Sequence, residues 1–184
     1  QHREGQLYQV GLNWNQTISP PWDFTLKGSQ GATERHYFWS TTPGDQSNYD
    51  GETSYLEMQH NLHLNQWLTL NLGADYEKSV YDGQEPKNKY GGDYTPVSFD
   101  ESWGNKDVFT QAQFALLDRS LFINLGGRYN DHDEFAGEAV WETSAAYLFK
   151  NSGTKLHAHV GTGYRTPGLY EIYGGYLSNG NLIT

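Results

Sequence analysis

Trp67-Leu68-Thr69-Leu70-Asn71-Leu72-Gly73-Ala74-Asp75-Tyr76 decides the fold. Leu68, Leu70, Leu72, Ala74 and Tyr76 fall on one phase of a period of two. Trp67, Thr69, Asn71, Gly73 and Asp75 fall on the other. Successive side chains of an extended strand point to opposite faces, so this alternation predicts one apolar and one polar face. A helix would scatter both sets around its axis.

The same period runs outward in both directions. Before this stretch, Tyr8, Val10, Leu12 and Trp14 share a phase, as do Leu56, Met58, Leu62 and Leu64, interrupted by His60. A weaker strand, with Trp22, Phe24 and Leu26 in phase, runs from about Trp22 toward Tyr37. After it come Val108–Leu116, Leu121–Tyr129, Ala139–Phe149 and Leu156–Tyr164. Eight strands are expected, all antiparallel and paired in sequence order, with no helix longer than about two turns.

Connections alternate between two kinds. Thr17 to Pro21, Asn65-Gln66, Leu117 to Ser120 and Lys150 to Gly153 are short. Phe38 to Thr53, Glu77 to Lys106 and Asn130 to Gly137 are expected as longer polar loops, and another begins at Arg165. Short turns at one end and long loops at the other are the habit of a barrel crossing an outer membrane. The opposite phase carries Gln59, Asn61, His63, Asn71, Asp75, Gln111, Gln113, Asn124, Arg128, Glu142, Lys155, His157 and His159. That face is too polar for a packed core and is expected to line a lumen.

Composition sets the outer limits. The 184 residues hold no Cys, which excludes disulfides, thiolate metal sites and Cys nucleophiles. A formal net charge of −10 argues against sequence-independent nucleic-acid binding. No apolar run is long enough for a transmembrane helix. Low mean hydropathy is compatible with a membrane barrel, in which only alternate residues meet lipid. Tyr and Trp number 14 and 6, enough for interfacial girdles or for an aromatic soluble core. No Gly-x-Ser-x-Gly elbow, phosphate loop or His-Glu-x-x-His helix is present, so no enzyme is expected, and no cofactor.

One motif stands at the end of the last expected strand: Tyr164, Arg165, Pro167, Leu169, Glu171 and Tyr173 within Gly163–Gly174. Pro167 cannot donate to a ladder and biases Thr166 toward an extended backbone, so it ends the strand. Arg165 and Glu171 are near enough in sequence to pair across a structural corner. The segment resembles the aromatic-Arg-x-Pro-x-Leu-x-Glu-Leu-Tyr stretch of TonB-dependent outer-membrane receptors, with Ile172 where that family usually has Leu. The family's Gly-Asn-Pro-x-Leu-x-Pro-Glu segment, plug domain, TonB-contacting box and final aromatic-ended strand are not found in residues 1–184.

The resemblance implies that residues 1–184 are part of a larger transmembrane β-barrel in the outer membrane of a Gram-negative bacterium. Its expected partners are outer-membrane lipid, the protein's own plug and remaining strands, TonB in the intact protein, and a scarce small-molecule nutrient such as a ferric siderophore or cobalamin. Haem receptors of the family usually carry a His in the loop after the motif, and residues 168–184 hold none. Two other readings stay open from the residues: a soluble β-rich carbohydrate- or ligand-binding module, and a complete eight-stranded outer-membrane barrel.

Two further sets of residues are candidates. Tyr81, Tyr90, Tyr94 and Trp103 in the expected loop Glu77–Lys106 offer rigid aromatic surface to a bulky ligand. Asp131, Asp133 and Glu134 offer clustered oxygens to a hard cation such as calcium, without the spacing of an EF-hand loop. An expected sheet of this kind has open edges and an apolar face, neither of which water tolerates. The isolated chain is therefore expected to aggregate or pair edges in detergent-free buffer; a monomeric boundary in sedimentation, with cooperative unfolding, would instead favour the soluble module.

Overall fold

The computed structural model describes residues 2–38, 46–86, 96–167, 177–178 and 181–182. Eight strands form one antiparallel sheet in sequence order: β1 His2–Ser19, β2 Trp22–Phe38, β3 Gln46–Asn65, β4 Leu68–Pro86, β5 Pro96–Leu116, β6 Leu121–His132, β7 Glu138–Phe149 and β8 Thr154–Gly161. No helix occurs among the described residues. A separate pair, β9 Leu177–Ser178 and β10 Asn181–Leu182, lies outside the sheet. The sheet runs from β1 to β8 without pairing its two edges, so the described strands do not form a closed eight-stranded barrel.

Three expected loops are shorter than the sequence suggested. Glu77–Lys106 is mostly ladder: β4 and β5 stay in register from Leu68↔Phe114 to Pro86↔Pro96. In the same way β2 and β3 pair out to Phe38↔Gln46, and β5 and β6 out to Asn105↔His132. The cause is backbone hydrogen bonding, which continues where apolar alternation stops. At the other end β8 stops at Gly161, short of Tyr164.

The register fixes which side chains share a face. One row crosses the sheet as Trp22, Leu62, Leu70, Ala112, Leu125, Thr143 and Val160. A neighbouring row is Leu68, Phe114, Ile123, Ala145 and Ala158. Leu72, Leu121 and Leu156 lie on the same side. This continuous apolar surface is bordered toward the short turns by Trp67, stacked on Phe114 with ring centroids 6.2 Å apart, and by the Tyr147–Phe149 pair at 4.7 Å. Toward the long hairpins it is bordered by Tyr76, Tyr129 and Trp141. Leu68 to Tyr76 at about 3.4 Å per residue, with a strand tilt of about 40°, spans roughly 20 Å of height, close to an outer-membrane apolar band of about 25 Å.

Burial is inverted relative to a soluble domain. Leu12 is 74% exposed and Leu156 60%, whereas Asp75 is 7% and Asp107 2% exposed. Tyr49 is the single buried large hydrophobic residue among the described ones. His60, the polar interruption in the apolar phase, packs between Trp22 and Phe24, and its Nδ1 accepts a hydrogen bond from Trp22 Nε1 at 3.1 Å. The pairing satisfies a polar atom that would otherwise be costly beside hydrocarbon.

The short turns are tightly built. Leu117, Asp118 and Arg119 have φ of 52°, 52° and 61°, left-handed without glycine. Ser120 N donates to the Leu116 and Leu117 carbonyls at 3.1 and 3.0 Å, and Lys150 Nζ donates to the Asp118 carbonyl at 2.6 Å.

If the apolar face meets lipid, a charge in its middle has no partner. Leu70→Arg in the parent barrel is expected to cost about 2–4 kcal/mol near the bilayer midplane. A folding titration in lipid vesicles measures it, and an unchanged midpoint would remove Leu70 from the lipid face.

Candidate functional site

The opposite face has two zones with different electrostatics. Level with the apolar band, polar side chains bond one another across strands. Asn71 Nδ2 donates to Gln111 Oε1 at 3.2 Å, Asn124 Nδ2 to Ser144 Oγ at 3.1 Å, and Thr25 Oγ1 to Asn15 Oδ1 at 2.9 Å. Lys27 Nζ meets Glu57 Oε1 at 2.8 Å, and the Tyr55 hydroxyl donates to Glu57 Oε2 at 2.5 Å.

The densest knot lies on β4–β6. Arg128 Nη2 donates to both oxygens of Asp75 at 3.0 Å and to Asp107 Oδ2. Asn105 Nδ2 donates to Asp107 Oδ2 at 3.0 Å and Asn130 Nδ2 to Asp107 Oδ1 at 2.5 Å. The Arg128 guanidinium also lies 5.7 Å from the centre of the Phe109 ring. Phe109 can lie flat there because Gly73 stands opposite: a Cβ on Gly73 would come within 2.2 Å of the ring. Oδ1 of Asn105 and of Asn130 are buried within this knot without a hydrogen-bond partner among the described residues.

The second zone is the long-hairpin rim. Tyr37, Tyr49 and Tyr81 form a tier across β2–β4, with Tyr37 edge-on to Tyr49 at 5.7 Å and Tyr49 stacked parallel to Tyr81 at 6.1 Å. The Arg3 guanidinium lies 5.4 Å from the Tyr37 ring centre. Farther along, Trp103 contacts His132 at 4.8 Å and Phe135 at 6.0 Å. His132 Nδ1 accepts from Glu134 N at 3.1 Å.

The sequence candidates fall unevenly on this geometry. Tyr81 and Trp103 are on strands, opposite Glu101 and Ser79, rather than in a loop, and both face the polar side. Tyr90 and Tyr94 lie outside the described residues, as do Leu169, Glu171 and Tyr173. Tyr164, Arg165 and Pro167 follow β8 in non-strand backbone. Asp133 is committed to β5: its Oδ2 accepts from Gly104 N at 2.7 Å, its own N–H donates to the Gly104 carbonyl at 3.0 Å, and Lys106 is 3.7 Å away. Asp131 is paired opposite Lys106, and Asp131, Asp133 and Glu134 do not converge; among the described residues no three His, Asp or Glu side chains could hold a metal ion. Sequence reasoning passed over Tyr37 and Tyr49, although both keep the odd phase of Tyr81 across paired strands.

Comparison with known proteins adds an independent line. Residues 1–182 match the family model described as TonB dependent receptor-like, beta-barrel. Among solved structures, the chain is similar to the copper transporter OprC at 13% identity and a TM-score of 0.71, over 92% of this chain and 32% of that one. It is similar to the ferric enterobactin receptor PfeA from Pseudomonas aeruginosa at 15% identity and 0.68, over 91% and 26%. The siderophore receptor PirA from Acinetobacter baumannii matches at 12% and 0.63, over 90% and 26%. The chain thus spans about a third or less of the length of the structures it matches.

Arg128 compensates two nearly buried carboxylates, so its removal should leave both uncompensated. Arg128→Met is expected to cost about 3 kcal/mol, the low end for breaking a buried pair, because the guanidinium itself is partly open. Adding Asp75→Asn and Asp107→Asn should restore most of that stability. Lipid folding titrations of the single and triple variants check both statements.

Proposed function

Since the chain belongs to the TonB-dependent receptor β-barrel family, we propose that it forms part of the wall of an energy-coupled importer of a scarce small-molecule nutrient. Members of this family sit in the outer membrane of Gram-negative bacteria and transport rather than catalyse. The observation that carries the reading is the pairing of a continuous apolar outer belt with a polar inner face whose acids and bases compensate one another. A polar face of that kind suits a lumen occupied by a plug and by water.

On this reading the described strands belong to a larger barrel completed by further strands and a plug. The apolar belt meets lipid, the short turns face the periplasm, and the long hairpins rise outside the cell. Tyr81 and Trp103, with the tier around Tyr49, would line the outer vestibule; Tyr90 and Tyr94 are candidates for the same role. Tyr164, Arg165, Pro167, Leu169, Glu171 and Tyr173 would form a corner that stabilises barrel and loop rather than a substrate contact. Ferric siderophores and cobalamin are the ligand classes proposed; several of the similar structures are siderophore receptors, and another is a copper transporter.

The test is uptake by cells expressing the intact parent protein. Accumulation of its labelled ligand should require both TonB and an energised inner membrane, and should fall to background when either is removed. Uptake that persists without TonB, or extraction of the intact protein without detergent, would overturn the reading.

A further inference from the structure

Two neighbouring short turns solve the same bend differently. The β7–β8 turn uses glycine where the backbone becomes left-handed, Gly153 at φ 68°. The β5–β6 turn makes its bend with Leu117, Asp118 and Arg119, all left-handed and none of them glycine. Left-handed backbone presses Cβ against the following carbonyl, which disfavours Leu and Arg there. Glycines would relieve that cost, and would also remove three side chains. The turn keeps them and is held by its surroundings: Leu148 N donates to the Ser120 carbonyl at 2.8 Å, and Lys150 Nζ to the Asp118 carbonyl at 2.6 Å. What the bend displays is an exposed Leu117, an acid and a base.

Beside this turn lies an open groove of about 670 Å³, walled on its other side by the β3–β4 turn. That volume is in the range of small-ligand clefts. Its lining has two characters. Trp67, Leu116 and Leu117 are apolar and continue the lower border of the lipid belt, where Trp67 stacks on Phe114. Asp118 and Arg119 are charged. They are adjacent in sequence, yet neither forms an ion pair among the described residues. Lys150, pinned to the Asp118 carbonyl and likewise without an ion-pair partner there, adds a second positive charge at the same turn. An acid and a base that are not spent on each other, at the edge of an apolar belt, suit a ligand carrying both charges and an apolar tail.

We propose that the groove between the β3–β4 and β5–β6 turns binds an aminophospholipid of the periplasmic leaflet, with its phosphate on Arg119 and its ammonium on Asp118. The guanidinium offers paired N–H donors to phosphate oxygens, and the Lys150 charge reinforces the same attraction. A primary ammonium donates hydrogen bonds to the Asp118 carboxylate. A quaternary ammonium has no N–H to donate, and a glycerol headgroup brings no positive charge to answer the acid. Below the headgroup, Leu117 stands among acyl chains, and the Trp67 ring occupies the interfacial level that suits an amphipathic aromatic. The acyl chains then run up the apolar belt from Leu116, so the groove and the belt serve one molecule.

This site rests on the importer reading, since it needs the belt to stand in a bilayer with the short turns on the periplasmic side. Its test uses the intact parent receptor in phosphatidylcholine vesicles. These are doped with phosphatidylethanolamine or phosphatidylglycerol, each carrying the same photoreactive group near the glycerol end of one acyl chain. Cross-linked peptides are mapped by mass spectrometry. The phosphatidylethanolamine probe is expected to label residues 66–67 and 115–119 about threefold more than the phosphatidylglycerol probe, the discrimination available to one exposed ion pair. Arg119→Gln should lower that labelling about fivefold, the worth of one cation at a lipid surface. Asp118→Asn should make the two probes label alike. Heat-modifiable migration on gels shows that each variant is folded, and should one fail to fold, the labelling of the unmodified receptor alone decides. Equal labelling of the groove by both probes, or labelling confined to the rest of the belt, overturns the site while leaving the importer reading in place. A receptor that does not enter vesicles and stays dispersed without detergent sinks the importer reading instead.

Discussion

Backbone hydrogen bonding in a place without water is the constraint on which the rest of this structure depends. A strand crossing hydrocarbon must hand every N–H and C=O to a neighbour, because an unpaired group costs several kcal/mol. The ladders here accordingly run without interruption, β2 against β3 from Trp22↔Leu62 to Phe38↔Gln46 and β4 against β5 from Leu68↔Phe114 to Pro86↔Pro96. Register shifts in β1–β2 and β3–β4 are confined to the short-turn end, between Thr17 and Ser19 and between His63 and Asn65. Because parity is never broken in between, each side chain's face is fixed by counting. The wall is then adjusted with side-chain volume alone, as where Gly73 makes room for Phe109.

That constraint explains which parts of the structure could be read from sequence. Within the belt, lipid demands apolar residues on one phase and the lumen tolerates polar ones on the other, so Leu68, Leu70 and Leu72 against Thr69, Asn71 and Asp75 spell out a strand. Above the belt both faces meet water and the apolar signal disappears, although the ladder does not. Glu77–Lys106 therefore looked like a loop when most of it is hairpin. A different signal was present there. Tyr37, Tyr49, Tyr81 and Trp103 keep the odd phase of their strands, and Glu34, Asp50, Asp82 and Asp100 keep the even one. Alternation of aromatic with acidic residues carries the same parity as alternation of apolar with polar.

The knot around Arg128 was less legible for another reason. Its residues are far apart in sequence, Asp75 lying 53 positions before Arg128 and Asp107 21 positions before it. Alternation assigns all three to the inner face but does not give the register that makes them meet. Only the pairing of Asp75 with Asp107, and of Asp107 with Asn130, brings two carboxylates to one guanidinium. The three acids offered for calcium do not converge for a related reason: Asp133, in the middle of that acidic cluster, fastens the β6–β7 connection to Gly104.

The two heights of the inner wall differ in how their charges are answered, and that difference has a physical consequence. In the middle, Lys27 is matched by Glu57 and Arg128 by Asp75 and Asp107, with neutral amides filling the rows between. A wall whose charges are answered locally exerts little field on a solute moving past it, since opposite charges a few ångströms apart cancel at longer range. At the rim of β1–β3 the charges are separated by the thickness of the sheet, with Glu4, Glu34, Asp50 and Glu52 outward and Arg3 and Arg35 inward, while on β4 and β5 Glu77 and Glu101 face inward as well. Separated charges do not cancel for an ion approaching from the inner side, and salt screens them only over distances near 10 Å.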